Sequence, residues 1–329
     1  MKPALTFAAG LLASTTLVAA QDTPVLTVYA GDYIVSEWGP GPKIEEMFEA
    51  QCACDLQFKP GDLLPRILLE GAQTDADIVF GLNTDVTKRA RESGLFAPHG
   101  QDSSSLTLPV DWTDDVFLPY NYGHTAFIYN EERITDVPES FDALLDASDD
   151  LKIVIQDPRS SISGLALVLW VKAIYGDKAE QVWERLAPKI LTVTKGWSES
   201  YGLFTDGEAD MVLSYTTSPA YHIIAEEDRT KKAAIFPEGH YFMVELSAKV
   251  AGTDVPELAD QFLEFQLSEE FQTMIATGNW SFPAKLDASK WPEGFKELNL
   301  PEKVLFYSED EAAALRDETV EEWRRALSQ

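Results

Sequence analysis

The sequence predicts an α/β protein of two lobes, each built on a sheet of mostly parallel strands that helices cover. Strand-like and helix-like segments alternate along the chain, which is typical of such sheets. The 329 residues suffice for two domains of roughly 150 residues each. Because no flexible linker separates the two series of segments, we expect strands to cross between the lobes, as in hinged binding clefts.

Hydrophobic periodicity and end signals give the individual elements. Ile44, Met47 and Phe48 recur at helical spacing, Pro256 suits the first turn of a helix, and Ser308–Glu311 forms a capping box. The first series comprises predicted strands at 25–29, 54–58 and 76–81 and helices at 43–50 and 63–69. The second series comprises predicted strands at 152–155 and 211–215 and helices at 164–175 and around residue 183.

The composition excludes several classes of function. Asp and Glu number 55 against 26 Lys and Arg, a formal charge of −29, whereas nucleic-acid binding needs a basic surface. The same charge disfavours anionic membrane surfaces. Four His and two Cys leave little material for a zinc cluster or haem, although an oxygen-liganded metal stays open. We predict no resident metal and no cofactor.

The first twenty residues are typical of an export signal. Lys2 supplies one positive charge, residues 4–20 are apolar or small, and Val18–Ala20 is a small-residue cleavage pattern. The run is too short and too rich in Ala, Ser and Thr for a membrane anchor. We therefore predict cleavage near Ala20, export to the periplasm and no direct insertion into the membrane.

Cys52 and Cys54 are the two cysteines of the chain. Export to an oxidising compartment favours oxidation of both thiols. A disulfide that skips one residue closes a small ring, whose geometry is demanding. The sequence leaves two interpretations open, a structural pair, which we favour, and a reactive catalytic thiol.

A cluster of small polar residues follows one predicted strand and opens a helix. Its members are Ser160, Ser161, Ser163 and Gly164. Free N–H groups and hydroxyls at a helix start suit an anion such as a phosphate. The alternative is an ordinary serine N-cap with no ligand.

Aromatic residues in polar loops are the other binding candidates. Loops lie at the surface, so a ring there is less expected in a core than Trp170 or Trp183, which lie in helical patterns. Stacked rings suit flat heterocycles and cations. The loop aromatics are Trp38, Trp197, Tyr215, Tyr221 and Trp280. Together with the helix start, they predict a ligand that carries a cationic ring and a phosphate.

Catalytic motifs are weak. The chain has no Gly-x-Ser-x-Gly elbow, no His-Glu-x-x-His and no Gly-rich loop ending in Lys. His99, His124, His222 and His240 are scattered along the sequence, and we interpret each as a hydrogen-bonded polar residue without a catalytic role.

Eight segments, spread over nearly the whole mature chain, match one known family. They are Leu26–Tyr29, Trp38–Pro42, Cys52–Cys54, Gln156–Arg159, Thr192–Glu199, Leu213–His222, Glu238–Tyr241 and Thr277–Trp280. In them the sequence resembles the thiamine-binding periplasmic proteins of bacterial ABC transporters. The resemblance implies a type II periplasmic-binding-protein fold, no enzymatic activity, and thiamine or its mono- or diphosphate as the transported ligand. It also implies a monomer that partners the ABC permease and, through it, the ATPase.

The resemblance carries a ligand site onto this chain. In the family, aromatic rings pack on the thiamine rings, and serine and backbone N–H groups hold the phosphate. The implied binding residues are Trp38, Ser161, Trp197, Tyr215, Tyr221 and Trp280, with Ser160, Ser163, Gly164 and Ser198 as further candidates.

Two departures from the family lie on the first lobe's side of the cleft. Gly31 stands where the relatives carry an aromatic residue, and Lys59–Asp62 forms a shorter loop than the acidic one of the relatives. Both concern contacts to the aminopyrimidine ring. Asp32 or Asp62 is the candidate acceptor for its exocyclic amine.

Three other functions are compatible with a two-lobed fold. A thiamine-cleaving enzyme of the thiaminase I type would need a nucleophile, for which Cys52 and Cys54 are the candidates. A ferric-ion receptor uses adjacent tyrosines, whereas Tyr215 and Tyr221 are separated in the sequence. A polyamine receptor would suit the acidic composition.

The lobe boundaries follow from where strands are expected to cross. Crossing near Asn121 and near Val244–Glu245 assigns residues 23–121 and 245–290 to the first lobe. Residues 122–244 and 291–329 then form the second lobe.

Overall fold

The computed structural model describes residues 23–36 and 39–328 of the chain. The predicted export signal at 1–20 and Trp38 lie outside the described residues. The strands are β1 (Val25–Ala30), β2 (Asp55–Pro60), β3 (Ile78–Asn83), β4 (Phe96–Ala97), β5 (Phe117–Asn130), β6 (Ile153–Gln156), β7 (Ile190–Thr194), β8 (Met211–Tyr215), β9 (Lys231–Ala234), β10 (His240–Val250), β11 (Phe282–Pro283) and β12 (Val304–Leu305).

The α-helices cover both faces of the sheets. They are α1 (Asp32–Val35), α2 (Gly41–Cys52), α3 (Leu63–Glu70), α4 (Thr84–Glu92), α5 (Phe141–Asp146), α6 (Ile162–Tyr175), α7 (Ala179–Leu186), α8 (Trp197–Thr205), α9 (Pro219–Ala225), α10 (Pro256–Gln266), α11 (Glu269–Gly278), α12 (Glu293–Lys296) and α13 (Glu309–Leu327). In the described part of the chain, none of them combines the length and the apolar character that crossing a bilayer requires.

Two parallel sheets are joined through a pair of long antiparallel strands. The strand order is β2-β1-β3-β10-β5-β8-β6-β7. In the first lobe β1 runs parallel to β2 and β3, and in the second β6 runs parallel to β7 and β8. The first half of β5, Phe117 to His124, pairs with β10, and the second half, from Thr125, pairs with β8 and β9. The predicted two-lobed α/β architecture with crossing strands is therefore confirmed.

Each lobe has its own apolar core. Trp170 and Trp183 are fully buried, as their helical patterns predict, and pack among the helices and strands of the second lobe. In the first lobe β1 and β3 pack against α2 and α10, where Phe48 and Phe262 meet edge to face. These cores leave the strand ends and the loops after them to form the site.

The C-terminal helix, α13, packs against three other helices. α13 begins at the predicted capping box of Ser308 and Glu311 and packs on α4 as well as on α6 and α7. Lys172 of α6, which is buried, pairs with Glu322 of α13 at 2.8 Å. α13 thus connects a helix that follows β3 with two helices of the second lobe.

Two details near β2 differ from the sequence prediction or resolve it. Lys59 and Pro60, predicted as part of a loop, continue β2 and pair with Tyr29 and Ala30 of β1. Proline is tolerated there because β2 is an edge strand. Cys52 and Cys54 form a disulfide at the end of α2, and no free cysteine remains among the described residues. The disulfide supports the interpretation of the two cysteines as a structural pair and leaves neither of them as a free thiol.

Candidate functional site

The predicted site residues follow strands whose carboxyl ends share an edge. β6, β7 and β8 are parallel neighbours, so the segments after Gln156, Thr194 and Tyr215 leave the second lobe at the same edge. β1 and β2 are likewise parallel, and Asp32 and Asp62 follow their carboxyl ends. In open α/β sheets, such edges are where ligands bind.

The two edges face each other across a cleft. Asp32, at the start of α1 in the first lobe, approaches the N-terminus of α8 in the second. A β-carbon placed on Gly196, the N-cap of α8, would lie 3.6 Å from Asp32 Oδ2. At Asp32 and Gly196 the two edges therefore come close together.

The predicted anion site is the start of α6, where a serine caps the helix. Ser161 is its N-cap, and its Oγ accepts a long hydrogen bond of 3.4 Å from the Gly164 N–H. A β-carbon on Gly164 would lie 2.5 Å from the Gln156 carbonyl oxygen, so only glycine lets the helix start this close to β6. Ser161 is partly exposed. The N–H groups in the first turn of an α-helix have no partner within the helix and point out of its N-terminus.

The neighbouring serines tie this helix start to the other loops. Ser163, which is buried, shares a hydrogen bond of 2.5 Å with the Tyr215 hydroxyl. Ser160 donates to the Lys195 carbonyl at 2.8 Å. Burial raises the pKa of Tyr215, so its hydroxyl stays protonated. The loops after β6, β7 and β8 are therefore held as one unit.

Four partly exposed rings lie in this region, and we call them the cleft aromatics: Trp197, Tyr215, Tyr221 and Trp280. The Trp197 indole donates to Ser214 Oγ at 2.7 Å and stacks on Tyr201, with centroids 4.6 Å apart. Tyr221 of α9 meets Trp280 edge to face at 5.2 Å. Rings anchored in this way keep their faces in place for a flat ligand.

The structure shows contacts within three pairs of the predicted residues, Ser161 with Gly164, Ser163 with Tyr215 and Tyr221 with Trp280. Among the described residues, no hydrogen bond links Ser198 or Asp62 to another candidate. Ser198 is exposed in the first turn of α8, and Asp62 precedes α3 without capping it. Their place in the site stays a prediction.

Three residues of this region were missed by the sequence reasoning. The Tyr33 hydroxyl donates to Glu245 Oε1 at 2.5 Å, and Asn279 Nδ2 donates to Glu245 Oε2 at 2.6 Å. Tyr33 fills the space beside Gly31, because a β-carbon on residue 31 would overlap the Tyr33 ring. Gly31, which stands where the relatives carry an aromatic residue, was the feature of the sequence that pointed to Tyr33. A glycine there leaves room for the ring of the residue two positions later.

The histidines agree with their interpretation with one exception. His99, His222 and His240 are hydrogen-bonded, as predicted. Both ring nitrogens of His124, by contrast, lack a partner within the described ranges, although the side chain is buried. Burial lowers the pKa of His124 to about 4, with His240 nearby adding to the effect. His124 is therefore neutral, and the prediction of a hydrogen-bonded residue was wrong there.

One cluster has the residue types of a metal site. His222, Glu226 and Asp228 offer ligand atoms that lie within 4.8 Å of one another. His222 Nδ1 already contacts Glu226 at 2.6 Å, its Nε2 contacts the Tyr201 hydroxyl, and Asp228 pairs with Lys231. These protein contacts account for the cluster without an ion.

Comparisons with known proteins agree with this architecture. A family model for bacterial extracellular solute-binding proteins matches residues 44–300. The thiamine-binding periplasmic protein of Brucella melitensis is 46% identical over 314 residues, which are 94% of each chain. That of Escherichia coli K12 is 44% identical over 93% of this chain and 94% of its own. A solved structure described as a periplasmic thiamin binding protein has a TM-score of 0.91 and 42% identity, covering 97% of this chain and all of its own.

These relationships confirm the resemblance and the type II periplasmic-binding-protein fold. The family match covers well over half of the chain, and the curated relatives align along nearly all of it. The chain belongs to the bacterial extracellular solute-binding protein family, as the solute-binding component of an ABC importer.

Proposed function

We propose that this protein binds thiamine and its mono- or diphosphate in the interlobe cleft and delivers them to the permease. The observation that carries the proposal is the hydrogen bond between Tyr215, one of the cleft aromatics, and Ser163 at the start of α6. Rings suit the flat thiamine rings and the cationic thiazolium. A helix N-terminus with a serine hydroxyl suits the phosphate. The relatives that are 44–46% identical to this chain are named as thiamine-binding proteins.

The proposed contacts divide by lobe. From the second lobe, Trp197, Tyr215 and Tyr221 would contact the rings, and the α6 start would contact the phosphate. From the first lobe, Asp32 or Asp62 would accept the exocyclic amine of the aminopyrimidine. The full proposed set is Trp38, Ser161, Trp197, Tyr215, Tyr221 and Trp280, with Asp32, Asp62, Ser160, Ser163, Gly164 and Ser198 as further candidates.

Transport would use the closing of the two lobes. A ligand that contacts both lobes favours the closed form by its differential affinity for that form. The lobes would be 23–121 with 245–290, and 122–244 with 291–329, in line with the crossing of β5 and β10. The closed monomer would then engage the permease and, through it, the ATPase, after export to the periplasm and cleavage near Ala20.

A binding protein rather than an enzyme is the function that the site supports best. The disulfide between Cys52 and Cys54 argues against a thiol nucleophile of the thiaminase I type. A ferric site is disfavoured because the Tyr215 hydroxyl is engaged by Ser163. A polyamine carries no anionic group and would therefore make no use of the start of α6.

Tryptophan fluorescence tests the proposal directly. Trp197 and Trp280 are partly exposed, so ligand in the cleft should change the emission. We expect saturable titrations with thiamine and its two phosphates and none with putrescine or Fe³⁺. A response to putrescine or Fe³⁺ alone would contradict the proposal. Incubation of thiamine with protein and an added nucleophile should return the vitamin intact, and a released thiazole would reveal an enzyme instead.

A further inference from the structure

A buried carboxylate lies in the cleft region and forms no ion pair with the basic side chains that the structure describes. Glu245 of β10 is 3% exposed and accepts hydrogen bonds from three neutral donors, Tyr33, Asn121 and Asn279, at 2.5–2.6 Å. Tyr120 and Tyr215 are further neutral groups within electrostatic reach of the carboxyl. A buried carboxylate is costly unless a cation or a full set of donors compensates it.

The position of Glu245 links it to the cleft aromatics on two sides. Asn279, which donates to Glu245, directly precedes Trp280. Asn121, its second donor, lies two residues before Gly123 on β5, and a β-carbon on Gly123 would lie 3.6 Å from that of Tyr215. Residues two apart on a strand face the same side, about 7 Å from each other. Glu245 is thus linked to Trp280 through Asn279, and the side of β5 that carries Asn121 also faces Tyr215.

The same carboxylate holds a strained residue of the site. Trp280 has a positive φ of 51°, which bulky residues rarely adopt. The hydrogen bond from Asn279 to Glu245 fixes the residue just before it. Glu245 also binds the hydroxyl of Tyr33, whose ring comes from the first lobe. One side chain on a crossing strand therefore organises three groups that belong to the first lobe as bounded above.

We propose that Glu245 is a specificity-determining residue, whose negative charge at the floor of the cleft favours a ligand with a positively charged ring. The inference deepens the proposed function and rests on it. A carboxylate within roughly 10 Å of the ring charge, at an effective dielectric of about 20, would change affinity roughly 10- to 100-fold. The charge selects at the ring end of the ligand, whereas the start of α6 would hold the anionic end.

The test compares thiamine with an uncharged analogue in which carbon replaces the quaternary ring nitrogen. Calorimetry on Glu245→Gln should show thiamine bound roughly 10- to 100-fold more weakly and the analogue within about threefold of wild type. Glu245→Asp keeps the charge and should keep the preference for thiamine over the analogue. Glu131→Gln, at an exposed site, changes the net charge equally and should alter neither affinity. Equal losses for both ligands in Glu245→Gln would overturn the inference.

A second measurement needs no variant at position 245. The ratio of the two affinities should fall as the pH is lowered and Glu245 becomes protonated, because burial raises the pKa of Glu245. The aminopyrimidine titrates in both ligands and cancels in the ratio. Tyr33, Tyr120 and Tyr215 face the carboxyl but stay neutral, since burial raises the pKa of each.

One other buried carboxyl must be separated from this effect. Burial raises the pKa of Asp85, at the start of α4, to about 6, and Asp85 lies within electrostatic reach of Tyr215. The fall in the ratio should therefore persist in Asp85→Asn. A ratio that stays constant with pH would overturn the inference. Failure of wild type to bind thiamine at all would instead overturn the proposed function.

Discussion

The rings of Tyr221 and Trp280 meet edge to face, with their centroids 5.2 Å apart and their planes at 75°. Tyr221 comes from α9 and Trp280 from the turn after α11, so two distant parts of the chain form one aromatic corner. Both rings are partly exposed, which leaves surface for a ligand. We therefore expect both rings of this corner to contact the ligand.

Replacing Trp280 or Tyr221 with Ala should weaken thiamine binding by about 1–3 kcal/mol, because stacking and the attraction between cation and ring are both lost. Calorimetry on the folded variants measures this loss. Phe306→Ala removes an exposed ring that packs on Phe242, and it should bind as wild type does. Wild-type affinity in both site variants would show that these rings do not touch the ligand.

Acid should destabilise the fold through His124. The pKa of this buried side chain is about 4 in the fold, below the ordinary value of about 6.5, so the unfolded chain binds more protons between these values. The stability that it contributes is complete above pH 6.5 and is lost as the pH falls toward 4. His124→Leu should therefore reduce the drop in unfolding free energy between pH 7.5 and pH 5 by about 2 kcal/mol. Urea titrations at both pH values measure it, and an unchanged drop would exclude His124 as its source.

Removing one partner of the buried ion pair between α6 and α13 should cost more unfolding free energy than removing both partners. Lys172 and Glu322 are both buried, so Lys172→Met leaves an unpaired carboxylate and should cost about 3–5 kcal/mol of unfolding free energy. Removing both charges with Lys172→Met and Glu322→Met should recover most of that loss. The exposed pair of Arg325 and Glu180 is the control, and Arg325→Met should cost far less. A double variant no more stable than the single one would contradict this account.

The architecture could be predicted from the sequence because the local signals for helix ends and the hydrophobic patterns agree with the observed helices and core. The capping box at Ser308, the proline that starts α10 and the fully buried Trp170 all lie where their patterns predict. Parallel pairing of β6, β7 and β8 then brings the polar loops to one edge. The contacts of Ser163 with Tyr215 follow from that topology, although no pattern in the sequence gives the distance.

What the sequence could not give depends on tertiary contacts. Glu245 is one of many carboxylates, and nothing in its neighbours along the chain marks it as buried beside Asn279. Tyr33 was overlooked because its ring occupies space beside Gly31, a relationship visible only when α1 is folded. The surroundings of His124 likewise come from β10, where Phe242 packs beside its ring. Each of these residues acts through neighbours that are distant in sequence.

Ser161 should distinguish thiamine monophosphate from free thiamine. If the start of α6 holds the phosphate, the Ser161 hydroxyl donates to an oxygen that free thiamine lacks. A hydrogen bond to a charged group is worth about 1.5–3 kcal/mol, so Ser161→Ala should weaken the monophosphate roughly 10- to 150-fold and free thiamine much less. Ser140→Ala removes a comparable N-cap from α5, away from the cleft, and controls for lost helix stability.

The salt dependence sharpens this last test. With a formal charge of −29, the long-range field of the protein favours cationic thiamine over its phosphates, increasingly so at low salt. The contribution of Ser161 is local and should change little with salt, whereas the general preference should shrink as salt rises. Calorimetry at two salt concentrations on wild type, Ser161→Ala and Ser140→Ala separates the two effects. Equal losses for thiamine and its monophosphate in Ser161→Ala would move the phosphate elsewhere, and the loop before Trp197, where Gly196 caps α8, is the next candidate.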